Sequence, residues 1–389
     1  MNQGRTIFTQ VMQVFPHAEF QRCVARYNGD RRTKTFSCHD QFLVMAFAQL
    51  TFRESLRDIE VCLRAIDSRL YHMGVRGKVS RSTLADANER RDWRIYHDFA
   101  MVLIARARAL YANEPLVCEL VNTIYALDST TIDLCLSMFP WAEFRRAKGA
   151  IKLHTLLDLR GAIPAFVLIS QGKTHDVHAL DAITFEAGAY YIMDRAYVDF
   201  KRLYTLNKSL SYFVTRAKSN FNYRRVLSSP VDKSTGLRSD QRVRLRGYYQ
   251  AKDYPEALRR ITFVDAKTRK IYTFLTNNFQ LPALTIANLY HERWQVEIFF
   301  KWIKQHLRIK AFYGTSPNAV KTQIWIALST YLLIVILRKQ LRLDHNLHTI
   351  LQFLSLTLFE KTLISEAISH KTYTLTEGDA DRQLTLFDL

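Results

Sequence analysis

The sequence has few cysteines, and none of them stands in a spacing that would make it a metal ligand or a crosslink. Five cysteines are spread over 389 residues, namely Cys23, Cys38, Cys62, Cys118 and Cys135. Their number is odd and no two form a Cys-x-x-Cys pair, which argues against a zinc site and a disulfide framework. We expect reduced thiols in a cytosolic protein.

The sequence also lacks a segment that predicts export or membrane insertion. Residues 1–15 contain no basic start followed by an apolar run, so a signal peptide is not expected. The longest apolar run, residues 324–337, would be about 21 Å long as a helix, which is shorter than the roughly 30 Å core of a bilayer. This run predicts a buried core helix and no membrane contact.

Acidic residues are scarce relative to basic ones. The chain has 55 Lys and Arg against 36 Asp and Glu, which gives a net charge of +19. The excess is spread through several segments, so it indicates a large basic surface and a polyanionic partner. The length allows a large core and two or three domains.

The first 115 residues show helical periodicity and few strand signals. We expect a helix over residues 41–52, a helix capped by Ser55, and a further helix that opens at Ser82. A helix-turn-helix would place three arginines near DNA, and a plain helical bundle explains the pattern equally well. These arginines are Arg81, Arg90 and Arg91.

From residue 118 the pattern changes to strands. An apolar strand over residues 121–127 runs directly into Asp128, and another over residues 189–193 runs into Asp194. Between them we expect a hairpin of residues 151–158 and 163–169 and then a helix over residues 176–187. This order is that of a ribonuclease-H-like fold, in which two carboxylates lie side by side. Each aspartate alone is also typical of a turn or a helix cap.

A fifth strand is predicted over residues 212–217, and the composition then changes. Residues 220–270 are rich in Arg, Tyr and Ser with alternating patterns, which predicts a small β-rich insertion. A strand over residues 271–277 follows it.

A helix over residues 290–304 carries four polar side chains on one face. At about 100° of rotation per residue, Tyr290, Arg293, Glu297 and Lys304 share a narrow strip, and Val296, Ile298, Phe299, Trp302 and Ile303 form an apolar stripe. A carboxylate between an Arg and a Lys suits a metal ligand beside phosphates. Glu and Lys pairs on a solvated helix give the same pattern.

The motif Tyr290-x2-Arg293-x3-Glu297-x6-Lys304 resembles the signature helix of the IS4 family of bacterial transposases. The resemblance covers roughly residues 118–340 and implies an α/β fold with a ribonuclease-H-like core, interrupted by a β-rich insertion and preceded by an all-α domain. The implied boundaries are 1–115 for the N-terminal DNA-binding domain, 116–218 and 271–345 for the core, 219–270 for the insertion and 346–389 for the C-terminal segment.

The resemblance also implies roles for individual residues. Asp128, Asp194 and Glu297 would be the catalytic metal ligands for two Mg²⁺ ions, with Mn²⁺ as a substitute. The implied DNA contacts are Tyr290, Arg293, Lys304, Arg195, Tyr197 and Lys152. The family motif reads Asp-Arg-Gly-Tyr, and Ala196 stands at the position of its glycine. This difference argues against a tight backbone conformation at residue 196.

Other positions are open to more than one interpretation. His154 is more typical of a hydrogen-bonded core residue than of a ligand, and His175 with Asp176 is also typical of a helix cap. Tyr290 is also typical of a packing residue. The insertion has no Trp, so Tyr223, Tyr248 or Tyr249 would have to stack on a flipped base if one is used.

The function implied by the resemblance is cleavage at the terminal inverted repeats of an insertion sequence and joining of the 3′-OH ends to target DNA. The partners would be double-stranded DNA and a second copy of the chain. The protein would be located in the bacterial cytoplasm, at the nucleoid. One alternative is a ribonuclease-H-like nuclease that cuts without joining. Another is an inactive transposase relic that only binds DNA.

Overall fold

The computed structural model describes residues 4–75, 77–116, 120–145, 148–219, 221–306 and 312–369. They form a mixed α/β fold with a helical N-terminal region and a large mixed sheet, as predicted. Cys118 and the part of the predicted C-terminal segment after residue 369 lie outside the described residues.

The N-terminal region consists of helices and one 3₁₀ turn. The turn spans Asp67–Met73, and the helices are α1 (Ile7–Met12), α2 (His17–Arg26), α3 (Cys38–Leu50), α4 (Leu56–Ala65), α5 (Arg81–Arg90) and α6 (Arg94–Tyr111).

Serine caps fix where these helices begin. The Ser37 side chain accepts a hydrogen bond from the Asp40 backbone in a full capping box, which starts α3. Ser55 caps α4 as predicted. The helix expected from Ser82 begins one residue earlier, because Ser80 is its cap.

Ten strands form one sheet in the order β2-β3-β1-β5-β6-β10-β9-β8-β7, with β4 also paired to β3. The β1, β5 and β6 strands are parallel to one another, and the other pairs are antiparallel. The strands are β1 (Ile124–Leu134), β2 (Glu143–Arg145), β3 (Lys148–Asp158), β4 (Ile163–Gln171), β5 (Tyr190–Met193), β6 (Tyr212–Arg216), β7 (Tyr223–Ser229), β8 (Leu237–Leu245), β9 (Leu258–Val264) and β10 (Ile271–Thr276).

Two predictions for the first half of the sheet change in detail, and the β3–β4 hairpin is confirmed. Strand β1 does not end at Leu127 but continues to Leu134, because β3 pairs with it along its whole second half. The helix expected over residues 176–187 is only a 3₁₀ turn, Asp176–Ala182. A short helix, α7 (Phe200–Lys208), joins β5 to β6.

The strands predicted in the insertion add to the edge of the same sheet. Strand β9 pairs with β10, β8 with β9, and β7 with β8, so the sheet continues from the parallel strands into this region. A short helix, α8 (Tyr248–Asp253), lies between β8 and β9.

Each face of the sheet carries its own hydrophobic core. Alternation along the strands sends Ala126, Ile192 and Val214 to the core under the C-terminal helices. Leu127, Met193 and Phe213 point to the other core, under α7 and α8. We call these the front face and the back face.

The front face is covered by helices from both ends of the chain. After the strands come α9 (Ala283–His291), α10 (Trp294–His306), α11 (Pro317–Gln340), α12 (Leu347–Thr357) and α13 (Ile364–Ser369). By length and composition α11 is apolar enough to cross a membrane, yet nearly all of its side chains are buried, against α3, α5 and α6 among others. The prediction of a buried core helix over residues 324–337 is confirmed.

The helix predicted over residues 290–304 is two helices. The helix is interrupted at Glu292 and Arg293 between α9 and α10, where backbone N–H groups donate three residues back instead of four: Arg293 to Tyr290, and Gln295 to Glu292. Val296, Phe299, Trp302 and Ile303 are buried as predicted. Ile298 is 47% exposed and does not belong to the apolar stripe.

Candidate active site

Three side chains form a row across the parallel strands. Leu127 pairs with Met193, and Met193 pairs with Thr215. The next residue on each strand is Asp128, Asp194 and Arg216. Because side chains alternate between faces, all three project to the front face. The predicted pair of aspartates therefore lies at neighbouring positions, with an arginine beside it.

Arg293 joins this row to α10. Its guanidinium donates a hydrogen bond of 2.7 Å to Oδ2 of Asp128 and a second one to Oε1 of Glu297. The turn between α9 and α10 places Arg293 over β1, on which α10 packs. Two of the three predicted carboxylates are thus linked through one guanidinium.

Asp194 has its own arginine. Arg216 donates to Oδ1 of Asp194 at 2.9 Å, and the backbone N–H of Arg195 donates to the same oxygen at 2.5 Å. Burial alone would raise the pKa of Asp194, but these hydrogen bonds favour the charged form more strongly and hold the pKa below its usual value.

The pKa of Asp128 is shifted in the opposite direction. Burial raises its pKa to about 6, although the positive charge of Arg293 and a hydrogen bond from the Ser129 backbone act against this rise. The negative charges of Glu297 and Asp194 raise it further. The raised pKa of Asp128 therefore reflects mainly its burial, which the Arg293 charge offsets only in part.

Tyr290 lies between the two arginines. Its ring centre is 5.9 Å from the Arg293 guanidinium carbon and 6.0 Å from that of Arg216. Its buried hydroxyl, and the buried Nε of each arginine, have no hydrogen-bond partner within the described parts of the chain. Unsatisfied buried donors of this kind are suited to an anion such as a phosphate oxygen.

A cavity of about 500 Å³ opens beside this group. Arg216, Arg293 and Lys267 give it positive charge. Its walls are otherwise largely aromatic, formed by Phe263, Tyr272, Phe274, Tyr290 and Trp294. Trp294 is 46% exposed, so its indole forms part of the mouth of the cavity.

The donor set of Asp128, Asp194 and Glu297 is suited to a hard divalent cation, which prefers carboxylate oxygens. With the side chains as they stand, no three His, Cys, Asp or Glu residues in the described ranges are close enough together to hold an ion. Arg293 and Arg216 make the charge-neutralising contacts instead. The chemistry of the three ligands fits a divalent ion, and in this structure Asp128 and Asp194 are each paired with an arginine.

Lys152 and Tyr197 lie on the back face of the sheet. Lys152 is on the back face, because it pairs with Thr131 in the ladder, and its ammonium contacts Asp176 and the Thr174 carbonyl. Tyr197 is 1% exposed and packs in the back-face core. Burial, and after it the negative charges of Asp128 and Asp176, raise the pKa of Tyr197, so its hydroxyl lies near Asp128 from behind. Both side chains lie inside the protein, and the DNA contacts that the resemblance implies for them stay predictions.

The remaining predicted contacts are placed differently. Arg195 is exposed next to Asp194. Lys304 is half-buried on α10, two turns beyond Glu297 and on the same side of the helix. Ala196 has no positive φ, so the alanine fits where the family motif has glycine.

The tyrosines predicted as base-stacking candidates lie away from the cavity. Tyr248 and Tyr249 are 77% and 79% exposed on α8, which packs on the back face through Ala251. Tyr223 stacks on Phe221 at 5.1 Å between ring centres. None of the three lines the cavity.

Arg91 of the possible helix-turn-helix also makes hydrogen bonds within the protein. Its guanidinium donates to the Ser37 carbonyl at 2.8 Å and to the Gln41 side chain at 2.9 Å. These contacts give Arg91 a structural role, whereas Arg81 and Arg90 are exposed; contact of the three arginines with DNA stays a prediction.

Sequence reasoning missed Arg216 and Trp294. A signal for Arg216 was present, since it ends a short apolar strand just as Asp128 and Asp194 follow theirs. Trp294 lies inside the Arg293-x3-Glu297 gap, where the spacing alone gives it no role.

Comparison with known proteins identifies the family of the chain. The family described as "Transposase DDE domain" matches residues 120–333, and a "Domain of unknown function (DUF4372)" matches residues 3–76. A Sinorhizobium fredii protein named "Putative transposase y4zB" is 33% identical over 72% of this chain and 77% of its own length.

Two further relatives carry insertion-sequence names. The Geobacillus stearothermophilus "Probable transposase for insertion sequence element IS5377" is 32% identical over 57% of this chain and 58% of its own length. The Synechocystis "Putative transposase for insertion sequence element IS4SA" is 24% identical over 69% and 75%. The chain belongs to the family of insertion-sequence transposases with a DDE domain, and its resemblance to the IS4 family is confirmed.

Proposed function

We propose that this protein cuts DNA at the terminal inverted repeats of its insertion sequence and joins the freed 3′-OH ends to target DNA by in-line phosphoryl transfer. The observation that carries the proposal is the row of Asp128, Asp194 and Arg216 facing Arg293 and Glu297. Carboxylates beside arginines with unsatisfied N–H donors suit a site for a phosphodiester and divalent ions.

Members of this family generally use divalent metal ions, and Mg²⁺, with Mn²⁺ as a substitute, is the ion proposed here. Asp128, Asp194 and Glu297 would hold the ions, which when bound activate the attacking hydroxyl and stabilise the leaving 3′ oxygen. Arg293 and Arg216 would then hold the phosphate oxygens with their free N–H groups, and Tyr290 would donate its hydroxyl.

The proposal includes the domain organisation implied by the family. Residues 116–218 and 271–345 would be the ribonuclease-H-like core, 219–270 the insertion, 1–115 the DNA-binding domain and 346–389 a C-terminal segment. A homodimer would hold two ends of double-stranded DNA in the bacterial cytoplasm. Lys304 and Arg195 would contact phosphates near the scissile bond.

We place the path of the end DNA across the sheet extension on the front face. Arg242 pairs with Arg259 in the ladder, and Arg224 with Arg244, and residues opposite each other share a face. Arg224, Arg242 and Arg244 are exposed, and the Arg242 guanidinium lies 4.8 Å from the ring centre of Phe279, ahead of α9. These arginines continue the positive charge of Arg216 outward from the carboxylates.

The aromatic cavity would take an unstacked base of the end. Trp294 and Tyr290 offer ring faces for stacking, and Arg216 and Arg293 would hold the adjoining phosphate. This assigns base stacking to α9 and α10 and leaves the insertion tyrosines without that role.

Cleavage of a labelled DNA that carries the flanking inverted repeat tests the proposal. With Mg²⁺ the wild-type protein should produce 3′-OH ends, and with EDTA it should not. Asp128→Asn and Glu297→Gln should bind the end and fail to cut it, because the basic surface is unchanged. Glu292→Gln is the matched control: it changes a neighbouring carboxylate that accepts a hydrogen bond from the Gln295 side chain, and it should cut normally.

The result also separates the other candidate functions. End binding without any cleavage by the wild-type protein would identify a DNA-binding relic and overturn the proposal. Cleavage without joining to a target plasmid would identify a nuclease. Equal cutting by wild type and Asp128→Asn would show that the active site is elsewhere.

A further inference from the structure

A polar cluster behind Asp128 has no part in the chemistry described so far. It consists of Ser129, Lys152, His154, Ser170 and Asp176, which we call the back-face cluster. In the ladders Ser129 pairs with His154, and Lys152 pairs with Ser170. Their side chains therefore share the back face, on the other side of β1 from the Asp128 carboxylate.

Asp176 is the centre of the back-face cluster. Its Oδ1 accepts hydrogen bonds from the Ser129 hydroxyl at 2.8 Å and from the Lys152 ammonium at 3.0 Å. Lys152 also donates to the Thr174 carbonyl at 2.9 Å, and its side chain is only 16% exposed. A shielded lysine held at two points fixes the carboxylate in turn.

Ser129 connects Asp176 to Asp128. Its hydroxyl donates to Asp176, and its backbone N–H donates to Oδ1 of Asp128 at 2.8 Å. The two aspartates are therefore joined through one residue, although they lie on opposite faces of the sheet.

The backbone of Asp128 and Ser129 is held by few neighbours, so the contact with Asp176 helps to fix it. The parallel pairing of β1 with β5 ends at Leu127 and Met193, so beyond it the backbone of Asp128 and Ser129 pairs with β3 on one side and with no strand of the described residues on the other. Asp176 stands at the start of the 3₁₀ turn after β4 and offers a second attachment from the other side of the chain. A side chain that must act on a reacting phosphate needs its backbone fixed to a fraction of an ångström.

We propose that Asp176 is a positioning residue, which orients Asp128 through Ser129 and is itself held in place by Lys152. The inference rests on the proposed function, because it matters only if Asp128 acts in cleavage. A role of the cluster as a separate nucleophilic site is disfavoured, since His154 is fully buried and its Nδ1 is 3.9 Å from Asp176 with no hydrogen-bond partner in the described residues.

Single-turnover cleavage of the end DNA tests the assignment. Ser129→Ala removes the hydroxyl and keeps the backbone N–H, and Asp176→Ala removes the acceptor. Each should lower the cleavage rate by about tenfold or more, while the Kd for end DNA and the Tm stay close to the wild-type values. Ser129→Thr keeps a hydroxyl on a strand position that tolerates β-branching, and it should recover most of the rate.

The double variant Ser129→Ala with Asp176→Ala should be no slower than the slower single variant, because both changes break the same connection. Ser170→Ala is the matched control, since it lies in the back-face cluster and contacts His154 rather than Ser129 or Asp176. It should cut at the wild-type rate.

Three outcomes would overturn the assignment: Ser129→Ala cutting at the wild-type rate, the two rate losses multiplying in the double variant, or a parallel fall in Tm and end binding. Asp128→Asn, measured beside them, separates this inference from the proposed function. If Asp128→Asn is inactive and Ser129→Ala is fully active, only the positioning role fails. If the wild-type protein never cuts, or Asp128→Asn cuts normally, both fail.

Discussion

Arg293 donates a 2.7 Å hydrogen bond to Asp128 from a position 165 residues further along the chain, and the same guanidinium also reaches Glu297. The two N–H groups of one planar fork therefore organise carboxylates from a strand and from a helix. A lysine carries the same charge but has no fork that contacts both at once.

Arg293→Lys should lower the rate of end cleavage about a hundredfold and weaken end binding by less than about tenfold, since the positive charge is retained. Cleavage rates and binding isotherms for the inverted-repeat DNA measure both effects. Arg260→Lys is the control, because Arg260 contacts Gln241 and Thr262 on the back face of the sheet. An Arg293→Lys protein that cuts like the control would contradict the bridging role.

Trp294→Ala should remove the stacking of a terminal base in the aromatic cavity. Base–aromatic stacking contributes about 1–3 kcal/mol per base, so end binding should weaken at least fivefold. The direct measurement is the fluorescence of 2-aminopurine placed at the end, which the wild-type protein should quench and Trp294→Ala should not. Tyr248→Ala serves as the control, since Tyr248 lies 77% exposed on α8. Loss of quenching in the Tyr248 variant alone would place the base on the insertion.

Arg244→Ala should flatten the salt dependence of end binding. Removing one phosphate contact reduces the slope of log K against log salt by about 1. Arg225→Ala is the matched control: Arg225 is equally exposed on the adjacent strand but pairs with Val243, so it faces the back of the sheet. Equal slopes for the two variants would show that the front face of the extension does not contact phosphate.

His154 should make the protein less stable as the pH falls. Burial lowers the pKa of its imidazole from 6.5 to about 4, so between these values the unfolded chain binds a proton that the folded chain does not. Stability contributed by neutral His154 is complete above about pH 6.5 and is lost progressively towards pH 4, by up to about 3 kcal/mol.

The measurement is the change in Tm between pH 7.5 and pH 5 for wild type and His154→Gln. The wild-type protein should lose more Tm than the variant over this interval, because glutamine does not titrate. Comparing the wild type with His154→Gln removes the contributions of other titrating groups, such as Asp158, whose pKa is raised by burial. An identical pH dependence of the two proteins would show that His154 has the same pKa in the folded and the unfolded chain.

Local sequence features determined much of the fold. The serine cap of α4, the β3–β4 hairpin and the buried α11 were predictable because each depends on neighbours within a few residues. Asp128, Asp194 and Glu297 were also identifiable, since each follows an apolar strand or lies in a motif of fixed spacing.

The tertiary structure decided which side chains meet. Strand register places Arg216 beside Asp194, sends Lys152 to the back face and buries Tyr197, and a one-residue slip would reverse each of these outcomes. The turn at Glu292 and Arg293 moves Arg293 off a continuous helix and onto Asp128. These relationships depend on contacts between residues far apart in the chain, so spacing and periodicity alone carry no information about them.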